Sequence, residues 1–215
     1  MDVVGALFVC GVIAGPLFVL VFLIEGTMTP DYDPLRHPVS SLALGPFGWT
    51  QTLNFIVVGL LTLAFAVGLV RLRGARQKIG GTLFGIWGVG LIGAGAFLTD
   101  PVSGYPPGTP PTPVEATTSG TLHDLFSVAA FFALGAACFV LAGGKGWRWA
   151  IYSVLSGATF LGAFFVAGIG FGQTEPFVEV AGLWQRVCVL IGWTWLTMLA
   201  LRLLPEERRR ASSLV

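Results

Sequence analysis

The chain has 215 residues, of which 54% are hydrophobic and only 11% charged, with a formal net charge of +1. A soluble domain carries about 25% charged residues. The composition therefore excludes a soluble enzyme, a disordered tail and a conventional nucleic-acid binder, and leaves an all-α polytopic membrane protein. Cys10, Cys138 and Cys188 all lie within apolar runs, where a thiol packs as a small hydrophobe and does not imply a disulfide framework.

The N-terminus reads Met-Asp-Val-Val. It has neither a basic n-region nor a small-residue cleavage site, so the first apolar run is expected to be a retained span. Apolar runs of about 20 residues are long enough to cross a bilayer. Six occur, at 3–24, 52–70, 79–99, 122–142, 149–171 and 180–203, in one domain covering 1–215. Ten of the 12 lysines and arginines flank the ends that face the termini, and only Arg36 and Arg186 lie towards the other face. That bias predicts cytoplasmic termini in a cell membrane. Trp49, Trp147, Trp149 and Trp184 fall near span ends and suit interfacial belts. Most acids, and both histidines, His37 and His123, sit on the extracytoplasmic side.

The first outer connection is long, and 34–45 suggests a short interfacial helix. The second, 100–120, contains Pro101, Pro106, Pro107, Pro110, Pro111 and Pro113. With little apolar content and missing backbone donors, it is expected to be extended or disordered, first a passive linker and second a lid. Gly81, Gly85, Gly88 and Gly95 form a stripe on the third span. Gly11–Gly15 and Gly168–Gly172 are small-xxx-small pairs. Such faces bring helix backbones close in lipid, within the bundle or towards an oligomeric partner.

Ionisable groups at membrane depth face a bundle interior, a wet cavity or a partner. Arg186 lies about two turns into the last span, so a counter-ion is expected from Asp100, Asp124 or Glu25; snorkelling to the headgroups is the alternative. His123 and Asp124 open the fourth span, with Ser127 one turn below His123. Asp124 also reads as a first-turn carboxylate complementing the helix dipole. In His37-Pro38-Val39-Ser40-Ser41-Leu42-Ala43, His37 and Ser41 would meet on a helix. A serine nucleophile also needs an orienting acid and oxyanion donors, and Ser-Ser after proline serves equally as an N-cap. No cofactor is expected, although zinc is allowed by His37, His123 and Asp100, which meet the count of three protein ligands. No close-spaced ligand motif, P-loop or dinucleotide fingerprint is present.

The stretch from His37 to Ala43 with Gly48-Trp49, then Phe97-Leu98-Thr99-Asp100-Pro101, then Leu122-His123-Asp124 and Gln185-Arg186, resembles the integral membrane family catalogued as domain of unknown function 998. The resemblance spans nearly the whole chain and implies a six-span bacterial or archaeal membrane protein with no agreed activity. A more distant likeness is to the seven-span hydrolases related to alkaline ceramidases. Glu25, Ser40 or Ser41, His37 and Asp100 echo part of their site, whereas their late His-x-x-x-His and seventh span are missing.

The resulting expectation is an extracytoplasmic pocket built from Glu25, His37, Asp100, His123, Asp124 and Arg186. It would bind a small polar ligand or lipid headgroup, with Arg186 engaging an anionic group. An extracytoplasmic, metal-dependent hydrolase is the alternative. The near absence of polar groups in the inner halves of the spans argues against an ion channel.

Overall fold

The computed structural model describes residues 3–113 and 115–212, with side chains described through Leu204. Six helices follow in order: α1 (Val3–Met28), α2 (Gly48–Arg71), α3 (Ala75–Ala96), α4 (Thr118–Val140), α5 (Trp147–Phe171) and α6 (Ala181–Ser212). Each contains a segment long and apolar enough to cross a membrane. The chain is a multi-pass membrane protein. Helices satisfy their own backbone groups, which lipid cannot do.

Sequential helices pack side by side, and α6 returns to α1, so the six form a closed ring. Its centre is filled by aromatic side chains. Phe84 of α3 stacks on Trp195 of α6, and Trp195 stacks on Trp149 of α5. One turn further from the chain termini, Trp87 meets Trp193 edge-on at 5.4 Å. Their indole donors are met selectively. Trp149 donates to the Leu141 carbonyl and Trp195 to Ser153 Oγ, whereas Trp87 Nε1 has no acceptor among the described residues.

Glycines set the close approaches. A Cβ on Gly88 would lie 2.9 Å from the Gly59 carbonyl of α2, and one on Gly15 would lie 3.0 Å from the Trp193 carbonyl of α6. Gly81 and Gly95 face α2 similarly, so three members of the stripe are packing residues. Gly85 and Gly168 differ: a Cβ on either meets nothing within 4 Å.

The end of the ring remote from the chain termini, here called distal, carries three connections. The first includes a 3-10 helix, Val39–Leu44, in the stretch expected to be helical. The third includes another, Phe177–Val180. The proline-rich connection departs from expectation, because it is neither extended nor disordered. Ser103 N–H donates to the Pro111 carbonyl at 2.7 Å, and Thr109 N–H to that of Pro106 at 3.1 Å. Tyr105 is 2% exposed, and Ser103 Oγ accepts from Gln173 Nε2 at 3.0 Å. Tyr105 supplies the buried apolar anchor that composition concealed, and the loop closes on itself through backbone groups that proline leaves available.

The fourth helix also begins earlier than its apolar run. Thr117 caps it, with Oγ1 accepting from Gly120 N–H at 2.9 Å. His123 and Asp124 therefore lie in its second turn, not at its opening.

The glycine geometry makes a contrast within one helix. Gly88→Ala should cost about 1–3 kcal/mol, the range for overpacking a tight contact. Gly85→Ala should leave thermal unfolding in detergent unchanged or slightly raised. Equal losses for the two variants would contradict the packing described.

Candidate functional site

The six polar residues singled out from the sequence fall at the distal end, in two groups. Asp100, His123 and Asp124 line a cavity of about 480 Å³. Glu25, His37 and Arg186 do not line it. They belong to a neighbouring cluster that holds the first distal connection in place.

That cluster is organised by Arg186. Its Nη1 donates to the carbonyls of His37 and Gly182, each at 3.0 Å, and its Nη2 donates to the Tyr32 hydroxyl. The guanidinium also lies over the rings of Phe22 and Tyr32, at 5.9 and 5.5 Å from their centroids. The expected counter-ion is not there: among the described residues no carboxylate lies in ion-pair range of Arg186, and the ion pair formed at this end is Arg36 with Glu179. A planar fork of donors reaches several carbonyls at once, so backbone oxygens do the work expected of an acid.

Burial pushes Tyr32 up to about 12, against the pull of Arg186, so its hydroxyl stays protonated and donates to the Pro38 carbonyl at 3.0 Å. Two more bonds complete the clamp. Val39 N–H donates to Gln185 Oε1 at 2.7 Å, and Leu183 N–H to the Leu35 carbonyl at 2.9 Å. Gly182 permits this, since a Cβ there would lie 2.6 Å from the His37 carbonyl.

His37 is held by its neighbours, with Nδ1 committed to the backbone. Nδ1 accepts from Asp33 N–H at 2.9 Å, and the ring also hydrogen-bonds the Ser103 backbone. Its ring stacks obliquely on Tyr105 at 5.1 Å. Burial lowers its pKa, outweighing the Ser103 bond and Asp33, which raise it. No bond joins His37 to Ser41, whose hydroxyl is fully buried and without a partner among the described residues. Glu25 is 4% exposed; Oε2 accepts from Thr50 Oγ1 at 2.6 Å and Oε1 has no partner among the described residues.

The cavity is framed by all six helices. Its roof is made of Pro38, Val39 and Ser40 from the clamped connection, with Pro101, Val102, Thr112, Pro113 and Ala116 from the proline-rich loop. Its base is aromatic: Phe18, Phe55, Trp87, Phe131, Phe164 and Trp193. Rings pack tightly there, with Phe131 and Phe164 stacked at 4.7 Å. The cavity exists because α4 and α6 meet only deeper in the ring, where Gly192 abuts Leu134 and Phe160.

Three polar groups define its chemistry. Asp100 accepts from Thr117 N–H at 2.9 Å and from Thr117 Oγ1 at 2.6 Å. It sits on the start of α4, where the helix dipole favours an anion, and Gly120 makes room, since a Cβ there would lie 2.2 Å from the carboxylate. Asp100 thus fills the role that the sequence suggested for Asp124. His123 Nδ1 lies 3.0 and 2.9 Å from the carbonyls of Ala94 and Phe97. Both are acceptors, so Nδ1 carries the proton, and the lone pair of the neutral ring belongs to Nε2. Asp124 is exposed at the cavity edge, within electrostatic reach of Asp100 and His123, and makes no hydrogen bond or ion pair among the described residues.

The zinc set does not assemble. His37 has Nδ1 committed to Asp33 N–H and does not line the cavity that holds His123 and Asp100, and no group of three or more side chains able to hold a metal ion is found among the described residues.

A family model described as "Protein of unknown function (DUF998)" matches residues 12–202. The chain belongs to this family. The match takes in the clamp, the proline-rich loop and every cavity-lining residue. No curated protein and no solved structure matches the chain, so the likeness to alkaline-ceramidase-type hydrolases gains no support.

Sequence reasoning missed the aromatic base and the two loop tyrosines. Phe160, Phe164, Ala167 and Phe171 fall at spacings of four, three and four, one face of α5, but that pattern also describes ordinary packing. Tyr32 and Tyr105 carry no local signal, because the contacts that fix them, to Arg186 and to each other, lie far along the chain.

If Arg186 is the clamp, Arg186→Ala should lower the unfolding temperature in detergent by several degrees and Arg186→Lys should restore only part of it. Tyr32→Phe should cost less in the Arg186→Lys background than alone, with a coupling of about 1 kcal/mol. Indifference to all three changes would mean that the side chain merely snorkels.

Proposed function

We propose that this is a cell-membrane binding protein, not an enzyme, whose distal cavity receives a small polar ligand or lipid headgroup at the extracytoplasmic face. The observation that carries this reading is the cavity itself. About 480 Å³ of space lies within the usual range of roughly 300–1,000 Å³ for ligand sites, and it joins an aromatic base to a few convergent polar groups. Membrane helices otherwise pack to exclude such volume.

The basic residues support the orientation. With ten of the 12 lysines and arginines at the proximal side, the positive-inside rule puts both termini in the cytoplasm and the cavity mouth outside. The aromatic plug formed by Trp87, Trp193, Phe84 and Trp195 offers no polar path onward through the ring. Binding or sensing at the outer face therefore fits better than translocation of a polar solute. The hydrolase alternative loses its main support because His37 lies outside the cavity.

Arg186 does not engage the ligand's anionic group in this reading. With its donors committed to the clamp, it positions the roof and does not reach into the cavity.

Gly168 lines the cavity with open space beside it, so Gly168→Phe should fill volume without disturbing packing. Protein extracted in mild non-ionic detergent should release a bound small molecule or lipid when denatured, identifiable by mass spectrometry, and Gly168→Phe should retain less than a tenth as much. Equal retention by the two proteins would contradict the reading.

A further inference from the structure

The cavity's polar groups specify a charge type, and its walls show a way in from the side. Among the described residues no lysine or arginine lines it, while two carboxylates do. An anion entering would meet Asp100 and Asp124 with nothing to neutralise it. A purely apolar molecule would strip water from both carboxylates without replacing it, which is costly. A cation with an organic surface meets neither penalty: its charge faces Asp124, which has no hydrogen-bond or ion-pair partner among the described residues, and its carbon surface lies over aromatic faces, whose negative quadrupoles attract cations. With Nδ1 turned to the Ala94 and Phe97 carbonyls, the other ring nitrogen of His123, Nε2, is left for a polar head.

The side route lies between α4 and α5. These helices stay in contact up to the Phe132–Phe165 and Phe131–Phe164 ring pairs, at 5.9 and 4.7 Å. Beyond that level the walls are Val128 and Gly168, both exposed, and a Cβ on Gly168 meets nothing within 4 Å. The seam is flanked by exposed Leu125, Phe132, Phe165 and Ile169, an apolar surface suited to lipid. The cavity therefore has an acidic rim under the loops and an apolar opening towards the bilayer.

We propose that the ligand is a cationic amphiphile, an organic ammonium head bound beside Asp124 over the aromatic base with its apolar tail leaving between Val128 and Gly168. This rests on the binding reading above and narrows it.

The test uses the full chain in a non-ionic maltoside. Decyltrimethylammonium, decyl sulfate and tetramethylammonium are titrated separately, each below its own micelle concentration, with the unfolding temperature and tryptophan fluorescence as readouts. Decyltrimethylammonium should bind saturably, at least tenfold tighter than decyl sulfate. Asp124→Asn should abolish that preference, and its fold should survive, since the side chain holds no partner among the described residues. Tetramethylammonium should bind at least tenfold more weakly than the tailed cation, and Gly168→Phe should weaken the tailed cation by a similar factor.

The outcomes separate the claims. Decyl sulfate binding as tightly as the cation, or an unchanged preference in Asp124→Asn, overturns the ammonium assignment; if Gly168→Phe still weakens binding, the cavity remains a binding site. Tetramethylammonium binding as tightly as the tailed cation overturns the lateral route in favour of a soluble organic cation. If no probe saturates in any variant, the assignment and the binding reading fall together.

Discussion

A guanidinium half-buried at the end of a membrane bundle must find oxygen, and in this protein it finds carbonyls and a phenol in place of a carboxylate. The choice shapes the rest of the distal end. By taking the His37 carbonyl and the Tyr32 hydroxyl, Arg186 fixes residues 32–39 onto the start of α6. The same segment then continues as Pro38, Val39 and Ser40 into the roof of the cavity. Among the described residues no acid neutralises Arg186, and Asp124 has no ion-pair or hydrogen-bond partner. One cation satisfied by dipoles thus leaves a neighbouring cavity with an uncompensated negative rim.

The cavity also depends on how the ring is closed. Gly59 and Gly88 bring α2 and α3 together, and Gly11 and Gly15 bring α1 onto α6, each by removing a side chain from a close approach. In lipid such van der Waals contact supplies much of the drive for association. The α4–α5 pair lacks an equivalent at its distal end, where Gly168 faces open space. Packing is tight where glycine meets backbone and absent where it meets nothing. The aromatic plug of Trp87, Phe84, Trp193 and Trp195 closes the ring below, so the space above is a blind cavity.

The architecture was legible because lipid imposes a one-dimensional code: six apolar runs of sufficient length became six helices, with Glu25 and His123 drawn inside helices extended beyond their apolar cores. The distal site was legible only in its residue types. Asp100, His123 and Asp124 line one cavity because each sits beside a span end, and span ends at one face are necessarily near one another. Their division from Glu25, His37 and Arg186 was not legible, since it follows from Arg186 reaching back to Tyr32 across 154 positions. Backbone acceptors leave no trace in a sequence, so a lone arginine suggests a missing acid. The proline-rich loop misled for a related reason: its order comes from Tyr105 and from backbone bonds, neither of which composition reports.

The most direct measurement is an experimental density map of the protein in a bilayer disc of native lipid. The account predicts non-protein density above Trp87 and Trp193, beside Asp124, continuing outward between Val128 and Gly168. A seam closed by α4 against α5, with Asp124 turned towards the headgroups and no space above the tryptophans, would contradict it.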